Sequence, residues 1–360
     1  MKNSTVAIVS DLHIGVHRSN EKFLEEDLKY ANFLVDNMIL KDVDTLLVLG
    51  DVFHNRREVS LSAIQTAKRF FETIVNAGIH VVILAGNHDC WNDGDANITS
   101  VSMFAGWDNI DVVSTHPVAG EVDGQSYMIL PWGFGPSDVP NHVDVLFGHF
   151  EINTFKMTSG TVCENGITTG DIERVCDKCF SGHFHLRDMR EGKGGKLICY
   201  VGSAMPLDWG DYGSAMKAIC YYNFKTRKTE FVENTVSPIF KKIPIDVILK
   251  CGMPDAAPNE YTAELKRLVY NNFVRIVSPA MESKVDKTKI STAISMVKSL
   301  NPFEVQCDIR NDEQPAIVAN NVDLTSLDAA DALMQYVKSL KSEYSEDALV
   351  LLKRVYTAVG

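Results

Sequence analysis

Over the first two-thirds of the chain, short unbroken apolar runs alternate with stretches whose apolar positions recur every three or four residues. VAIVS (6–10), TLLVLG (45–50) and HVVILAG (80–86) have strand length and polar borders. A continuous apolar run of that length predicts a strand buried on both faces. Leu24, Leu28, Ala31, Val35 and Met38 share one helical face, so a helix is predicted over 20–40, and a second over 60–77. Further strands are predicted at 110–114, 126–132, 143–148, 196–202, 218–224 and 229–234. The last of these follow one another without long helices. The expectation is therefore a layered α/β fold whose sheet turns partly antiparallel or splits into two packed sheets.

Near residue 236 the pattern changes. VSPIFKKIPIDVILKCGMPDAAPNE carries several prolines and leads into strands at 273–279 and 303–309. A helix between them is marked by Ile290, Ala293, Ile294, Val297 and Leu300. This predicts a small α+β module. NDEQPAIVANN (311–321) reads as a linker, and two amphipathic helices are expected at 326–341 and 346–359. The expected division is 1–236, 237–320 and 321–360.

Composition narrows the class. The chain has 360 residues, 45% hydrophobic and 23% charged, as expected of a globular protein with more than one domain. No apolar run reaches the length of a membrane helix, and the N-terminal apolar run stops at Asp11, which reads as a first strand rather than a signal peptide. A cytoplasmic location follows as the expectation, and the host cytoplasm if the source is a phage. The net charge of −12 argues against a general nucleic-acid binder, whose footprint is basic. It leaves room for a local site where metal ions supply the positive charge. The eight cysteines are scattered. Only Cys176 and Cys179 have metal-like spacing, and buried reduced thiols are the favoured reading over a zinc site.

The chemistry lies at strand ends. SDLHIG (10–15), GDVFHN (50–55), GNHD (86–89), GH (148–149) and GHFH (182–185) each follow an apolar run. Ligand crevices of open α/β sheets form at the carboxyl ends of strands. Five such ends would bring Asp11, His13, Asp51, His54, Asn87, His88, His149, His183 and His185 to one volume. Of ten histidines, six fall in these five stretches, which a set of ordinary strand and helix caps would not explain. His17, His80, His116 and His142 read as surface or strand-edge residues. A charged Asp51 at a buried strand end needs a cation or an ion-pair partner.

The ordered set D-x-H, GD-x-x-H, GNHD, GH and GH-x-H resembles the calcineurin-like metallophosphoesterases over residues 5–235. SDLHIG and GDVFHNRRE are similar to the SbcD-type branch, the nuclease subunits of double-strand-break repair. YVGSAMPLDWGD (200–211) departs from the branch's cellular form and looks closer to phage recombination nucleases. The resemblance implies an α/β/β/α core, a small capping domain and a C-terminal helical segment that grips a coiled-coil ATPase of the SbcC type. It also implies a homodimer, and two manganese ions. Asp11, His13 and His185 would hold one ion, Asn87, His149 and His183 the other, and Asp51 would bridge them. Two dications against two carboxylates leave the site positive, which suits a phosphodiester. His88 would serve the leaving oxygen, Asp89 would orient His88, and His54 would lie near the phosphate. Arg56 and Arg57 are candidate contacts to the DNA backbone. The implied activity is 3′-to-5′ exonuclease and single-strand endonuclease cleavage. The alternative is a stand-alone metallophosphatase or small phosphodiesterase. A scaffold without chemistry is disfavoured, since no ligand of the pattern is missing.

Overall fold

The apolar runs are unbroken because their strands are covered on both faces. The computed structural model describes residues 3–92, 95–158, 160–251, 260–278 and 285–309. One six-stranded sheet has the order Lys228–Glu233, Ala218–Asn223, Thr5–Val9, Thr45–Leu49, His80–Leu84, Ile110–Val113. Its last four strands are parallel, and the first two form an antiparallel edge. The second sheet has the order Asp188–Glu191, Leu197–Tyr200, Cys176–Gly182, Val143–His149, Gln125–Leu130, Val118–Val122, with an antiparallel strand at each edge and parallel strands between. Both sequence expectations are therefore met: the late strands turn antiparallel and the sheet divides in two.

Alternate side chains go to different layers, as the two-residue period of a strand requires. Val6, Ile8, Leu47, Leu49, Val82 and Leu84 pack between the sheets against Val145, Phe147, Phe180, Leu197 and Cys199. Their neighbours Ala7, Val9, Leu46, Val48, Val81 and Ile83 point outward, under Tyr30, Leu34, Phe70, Phe71 and Ile74 of helices Glu21–Leu40 and Leu61–Asn76. On the far side, Leu146, Cys179, Ile198 and Tyr200 pack against Ile172 and Val175 of helix Thr169–Val175. The layers are α/β/β/α. Both long helices begin on a polar cap: Lys22 N–H donates to Asn20 Oδ1 (3.0 Å), and Ala63 N–H to Ser60 Oγ (3.1 Å).

Phe240–Pro244, Phe273–Val277 and Glu304–Asp308 make a small sheet beyond the two large ones. Its three strands are parallel, with helices Ile245–Lys250, Glu260–Val269 and Lys287–Ser299 along the connections. Phe23 of the first long helix lies against Phe273 (5.4 Å between ring centres) and Phe303 (5.3 Å). Lys22 Nζ donates to the Phe303 carbonyl (3.2 Å). Met1–Ala280 and Asp286–Asp308 accordingly form one compact unit. The linker expected at 311–321 and the helices expected at 326–341 and 346–359 lie outside the described residues.

Four strands of the three larger sheets carried no apolar signal strong enough to read in full, Val118–Val122, Cys176–Gly182, Asp188–Glu191 and Phe240–Pro244, and neither did the short paired strands Cys90–Asn92, Asp95–Thr99, Lys156–Thr158 and Thr161–Val162. Val118–Val122 and Asp188–Glu191 are sheet edges with mostly exposed or half-exposed side chains, so their sequences have no need to be apolar.

Phe147 is fully buried between the sheets beside Phe180 (5.7 Å) and Phe224 (6.4 Å). Phe147→Ala should cost about 3–5 kcal/mol in urea unfolding, because a cavity there is walled by two rigid sheets. A loss under about 1 kcal/mol would show that the sheets close over the gap.

Candidate metal centre

The loops after the strands zip together before they present side chains. Asp11 N–H donates to the Gly50 carbonyl (3.0 Å), His13 N–H to the Asp51 carbonyl (2.9 Å) and Ile14 N–H to the Val52 carbonyl (2.9 Å). Asp11, His13, Asp51 and His183 all have positive φ (52°, 47°, 54° and 93°). Such conformations are rare for residues with side chains and persist only where the surroundings hold them, as at functional sites. Gly86 has no side chain because there is no room for one: a methyl there would overlap the Asp51 carboxylate.

Seven residues expected as ligands converge. Asp51 Oδ2 is 3.6 Å from His13 Nε2 and 3.4 Å from His149 Nε2. On one side, His13 Nε2 lies 3.0 Å from His185 Nε2 and 3.9 Å from Asp11 Oδ1, which is 4.0 Å from His185 Nε2. On the other, Asn87 Oδ1 lies 2.9 Å from His149 Nε2 and 3.1 Å from His183 Nδ1. Asp11, His13, Asp51 and His149 are buried to 1% exposure or less. Main-chain groups aim several of these side chains. His183 N–H donates to both Asp11 oxygens (3.2 Å each), and His88 N–H donates to Asp51 Oδ1 (2.8 Å). The Leu49 carbonyl can only accept, so His149 Nδ1 carries a proton toward it (2.7 Å) and Nε2 faces the centre.

The electrostatics follow from a buried carboxylate. Burial works against the charge of Asp51, but His149, His13 and His88 override it and hold its pKa well below the ordinary carboxylate range. Burial would likewise lower His149, yet Asp51 beside it lifts it to about 9. His149 is then an imidazolium, and its Nε2–H has Asn87 Oδ1 as an acceptor, the way the amide is placed. Turned over, the amide would accept from Arg56 Nη2 (2.6 Å) and donate to Asp51 Oδ2 (3.2 Å). We favour the first orientation because the Nε2–H of His149 then has an acceptor, and because a cation also needs the oxygen inward. Burial and then His149 push His183 down to about 3; burial and then His88 push His54 to about 4. Both are neutral imidazoles at pH 7, ready to donate a lone pair. Burial raises Asp11.

His88, half-buried, donates Nδ1–H to the His54 carbonyl (2.6 Å), which turns Nε2 away from that loop. The expected Asp89–His88 pairing needs correction. The Asp89 carboxylate accepts from the N–H groups of Val52 (3.0 Å), Phe53 (3.2 Å) and Gly86 (3.0 Å), and from Ser100 Oγ (3.3 Å). It pins the 50s loop to the 80s loop, and the His54 carbonyl orients His88 instead. A carboxylate among several N–H donors satisfies more bonds there than one imidazole would offer. Burial and the Asp51 charge still raise Asp89 to about 6. Arg56 reaches the rim of the centre, whereas Arg57 is exposed.

His17, His80, His116 and His142 lie outside the centre. His17 Nε2–H donates to the Leu207 carbonyl (2.8 Å), His80 meets Asp111, and His142 meets Asp177. Cys176 and Cys179 are buried in an apolar layer, and among the described residues no metal-capable group contains a cysteine. Trp132 was missed in the sequence. Its ring stands 5.3 Å from His183 and 5.9 Å from His149. It ends the run SYMILPW, so the grammar that found the other residues, a polar or special residue after an apolar strand, pointed to it as well.

The family model for calcineurin-like phosphoesterases matches residues 4–187. The chain belongs to that family. Its fold implies a dinuclear metal centre, and the donors present fit one: two carboxylates, an amide oxygen and imidazoles, with no thiolate. Exonuclease subunit 1 of Enterobacteria phage T4 is 22% identical over 359 residues, covering 94% of this chain and 98% of that protein. The DNA double-strand break repair protein Mre11 of Sulfurisphaera tokodaii is 34% identical over 96 residues, 25% of this chain and 23% of that protein. The SbcD component of the SbcCD nuclease of Escherichia coli (strain K12) is 31% identical over 80 residues, 22% of this chain and 20% of that protein. These similarities place this phosphoesterase with the SbcD and Mre11 type of the family.

In the metal-free phosphoesterase, His149 should titrate near 9 by histidine NMR. Asp51→Asn should lower it markedly, since the strongest influence raising it is removed and burial is then opposed only by Asp11 and the Leu49 carbonyl. Because the folded value is raised, the pair stabilises the metal-free protein fully below pH 6.5, and that contribution is lost as pH rises to about 9. Retention of the high value in Asp51→Asn would assign it to another group.

Proposed function

We propose that this chain is a manganese-dependent DNA nuclease subunit with 3′-to-5′ exonuclease and single-strand endonuclease activity. It acts in DNA recombination and repair, as a homodimer, with a coiled-coil ATPase of the SbcC type. Its place of action is the cytoplasm, of the host cell if the source is a phage. The observation that carries the reading is Asp51 Oδ2 standing between His13 and His149 while Asp51 Oδ1 accepts the His88 N–H. One carboxylate thus joins two donor sets and the candidate proton donor. The similarity to a phage exonuclease subunit along nearly the whole chain supports the choice of substrate.

Asp11, His13 and His185 would hold one ion, and Asn87, His149 and His183 the other, with Asp51 shared. Divalent ions held there would supply Lewis acidity for the attacking water and offset the phosphodiester charge. The chain's own groups do the rest. His88, with Nδ1 committed to the His54 carbonyl, moves a proton from Nε2 to the leaving oxygen. His54, neutral and stacked beside His88 (5.9 Å), keeps a polar edge near the phosphate without adding charge. Arg56 at the rim and Arg57 outside it hold the DNA backbone by its phosphates. Asp89 acts through the main chain, by keeping the two loops in register.

Asp51→Asn should lose both bound manganese and cleavage of single-stranded DNA while remaining folded. His88→Ser should keep the metal and DNA affinity and lose about 10²–10⁴-fold in turnover. Elemental analysis beside a nuclease assay with manganese, magnesium or chelator, and with a phosphomonoester as the competing substrate, tests both. Full activity and two metals in Asp51→Asn would sink the assignment, and preference for the phosphomonoester would sink the nuclease reading.

The segment 321–360 is proposed to grip the ATPase, since Ala330, Leu333, Met334, Val337 and Leu340 share one helical face in the sequence. A chain ending at Asn321 should still degrade short single strands with manganese but no longer co-elute with the ATPase. Undiminished co-elution excludes the tail as the grip.

A further inference from the structure

His185 differs from the other histidines of the centre. His149 and His88 each donate Nδ1–H to a main-chain carbonyl, which sets the ring. Among the described residues, the His185 ring has only His13 Nε2 within hydrogen-bond distance, and its side chain is 34% exposed. Its placement therefore depends on its backbone. The His185 carbonyl accepts twice, from Ser203 N–H (3.0 Å) and from Lys217 Nζ (2.7 Å).

Lys217 is 4% exposed, a rare position for an ammonium. Asp211 is its buried counter-ion, and the other Asp211 oxygen accepts Leu207 N–H (2.8 Å). An ion pair taken out of water is costly, so it contributes specific geometry more readily than stability. Here the geometry it holds is a carbonyl of the metal centre. The same LDWGD segment reaches the other way. The Trp209 ring stands 4.9 Å from Phe240, and the Arg275 guanidinium lies over it at 3.9 Å. One short segment thus holds, at one end, the lysine that reaches the His185 carbonyl, and touches strands Phe240–Pro244 and Phe273–Val277 at the other.

We propose that Lys217, with Asp211, is a positioning residue for His185, and that Trp209 ties this clamp to the 240–308 module. Ion affinity at the Asp11–His13–His185 position then depends on how that module is seated. The inference rests on the dinuclear reading above.

Titration of the metal-free full chain with manganese alone, followed by electron paramagnetic resonance of the free ion, tests it. The parent should bind two ions. Lys217→Met/Asp211→Leu removes both charges together, so no bare charge is left inside. It should bind one ion with parental affinity and the other at least tenfold more weakly. Trp209→Ala should weaken the same ion several-fold, and Trp209→Phe should restore it. Parental affinity for both ions in the double variant overturns the proposal, even if its melting temperature falls, because that is the result of a purely structural pair. If the double variant does not fold, unchanged affinities in Trp209→Ala overturn it equally. A parent that binds fewer than two ions overturns the dinuclear reading itself, and the inference with it.

Discussion

A carboxylate at 1% exposure has to face positive charge, and Asp51 organises its surroundings on that condition. In the metal-free protein a proton on His149 meets it. Cations between the donor sets would meet it more completely, at the expense of that proton. The strand ends converge because each supplies part of this compensation: an imidazole, an amide, or a main-chain N–H. The arrangement would be a liability in a protein with no cation to bind, since an apolar residue at position 51 would be easier to bury.

Holding the donors at close range requires conformations that an isolated loop would not adopt. Asp11, His13, Asp51 and His183 sit at positive φ. The scaffold carries that strain through three devices. The loops after the first two strands hydrogen-bond in register. Asp89 gathers N–H groups from two loops into one carboxylate. The aromatic layer between the sheets, with Phe147 at its centre, keeps the strand ends from shifting. Close-packed interiors deform little, so donors fixed to strand ends stay at their distances.

The histidines illustrate two ways of aiming a ring. A carbonyl behind Nδ1 fixes the tautomer and the direction at once, as at His149 and His88. His185 lies at the open side of the centre with no such carbonyl among the described residues, and is held through its own backbone by a buried ion pair. The second device couples a donor to distant structure, because Lys217 comes from beyond the LDWGD segment and not from the loop that carries the ring.

The sequence alone determined most strands of the two large sheets, the two long helices and the convergence of Asp11, His13, Asp51, Asn87, His149, His183 and His185. It could do so because buried strands need apolar residues on both faces, and a polar cluster at the end of such a strand is costly unless it binds something. Edge strands such as Asp188–Glu191 escaped it, since a strand with little burial carries no apolar period. Only the tertiary structure decided what Asp89 does. Adjacency in GNHD favoured His88 as its partner, but N–H groups thirty-odd residues away reach it first. The bond from Lys217 to the His185 carbonyl belongs to the same class. Its partner lies across the fold, and hydrogen bonds between residues distant in sequence leave no local pattern. Spacing along a chain reports what faces the core; only packing reports what faces what.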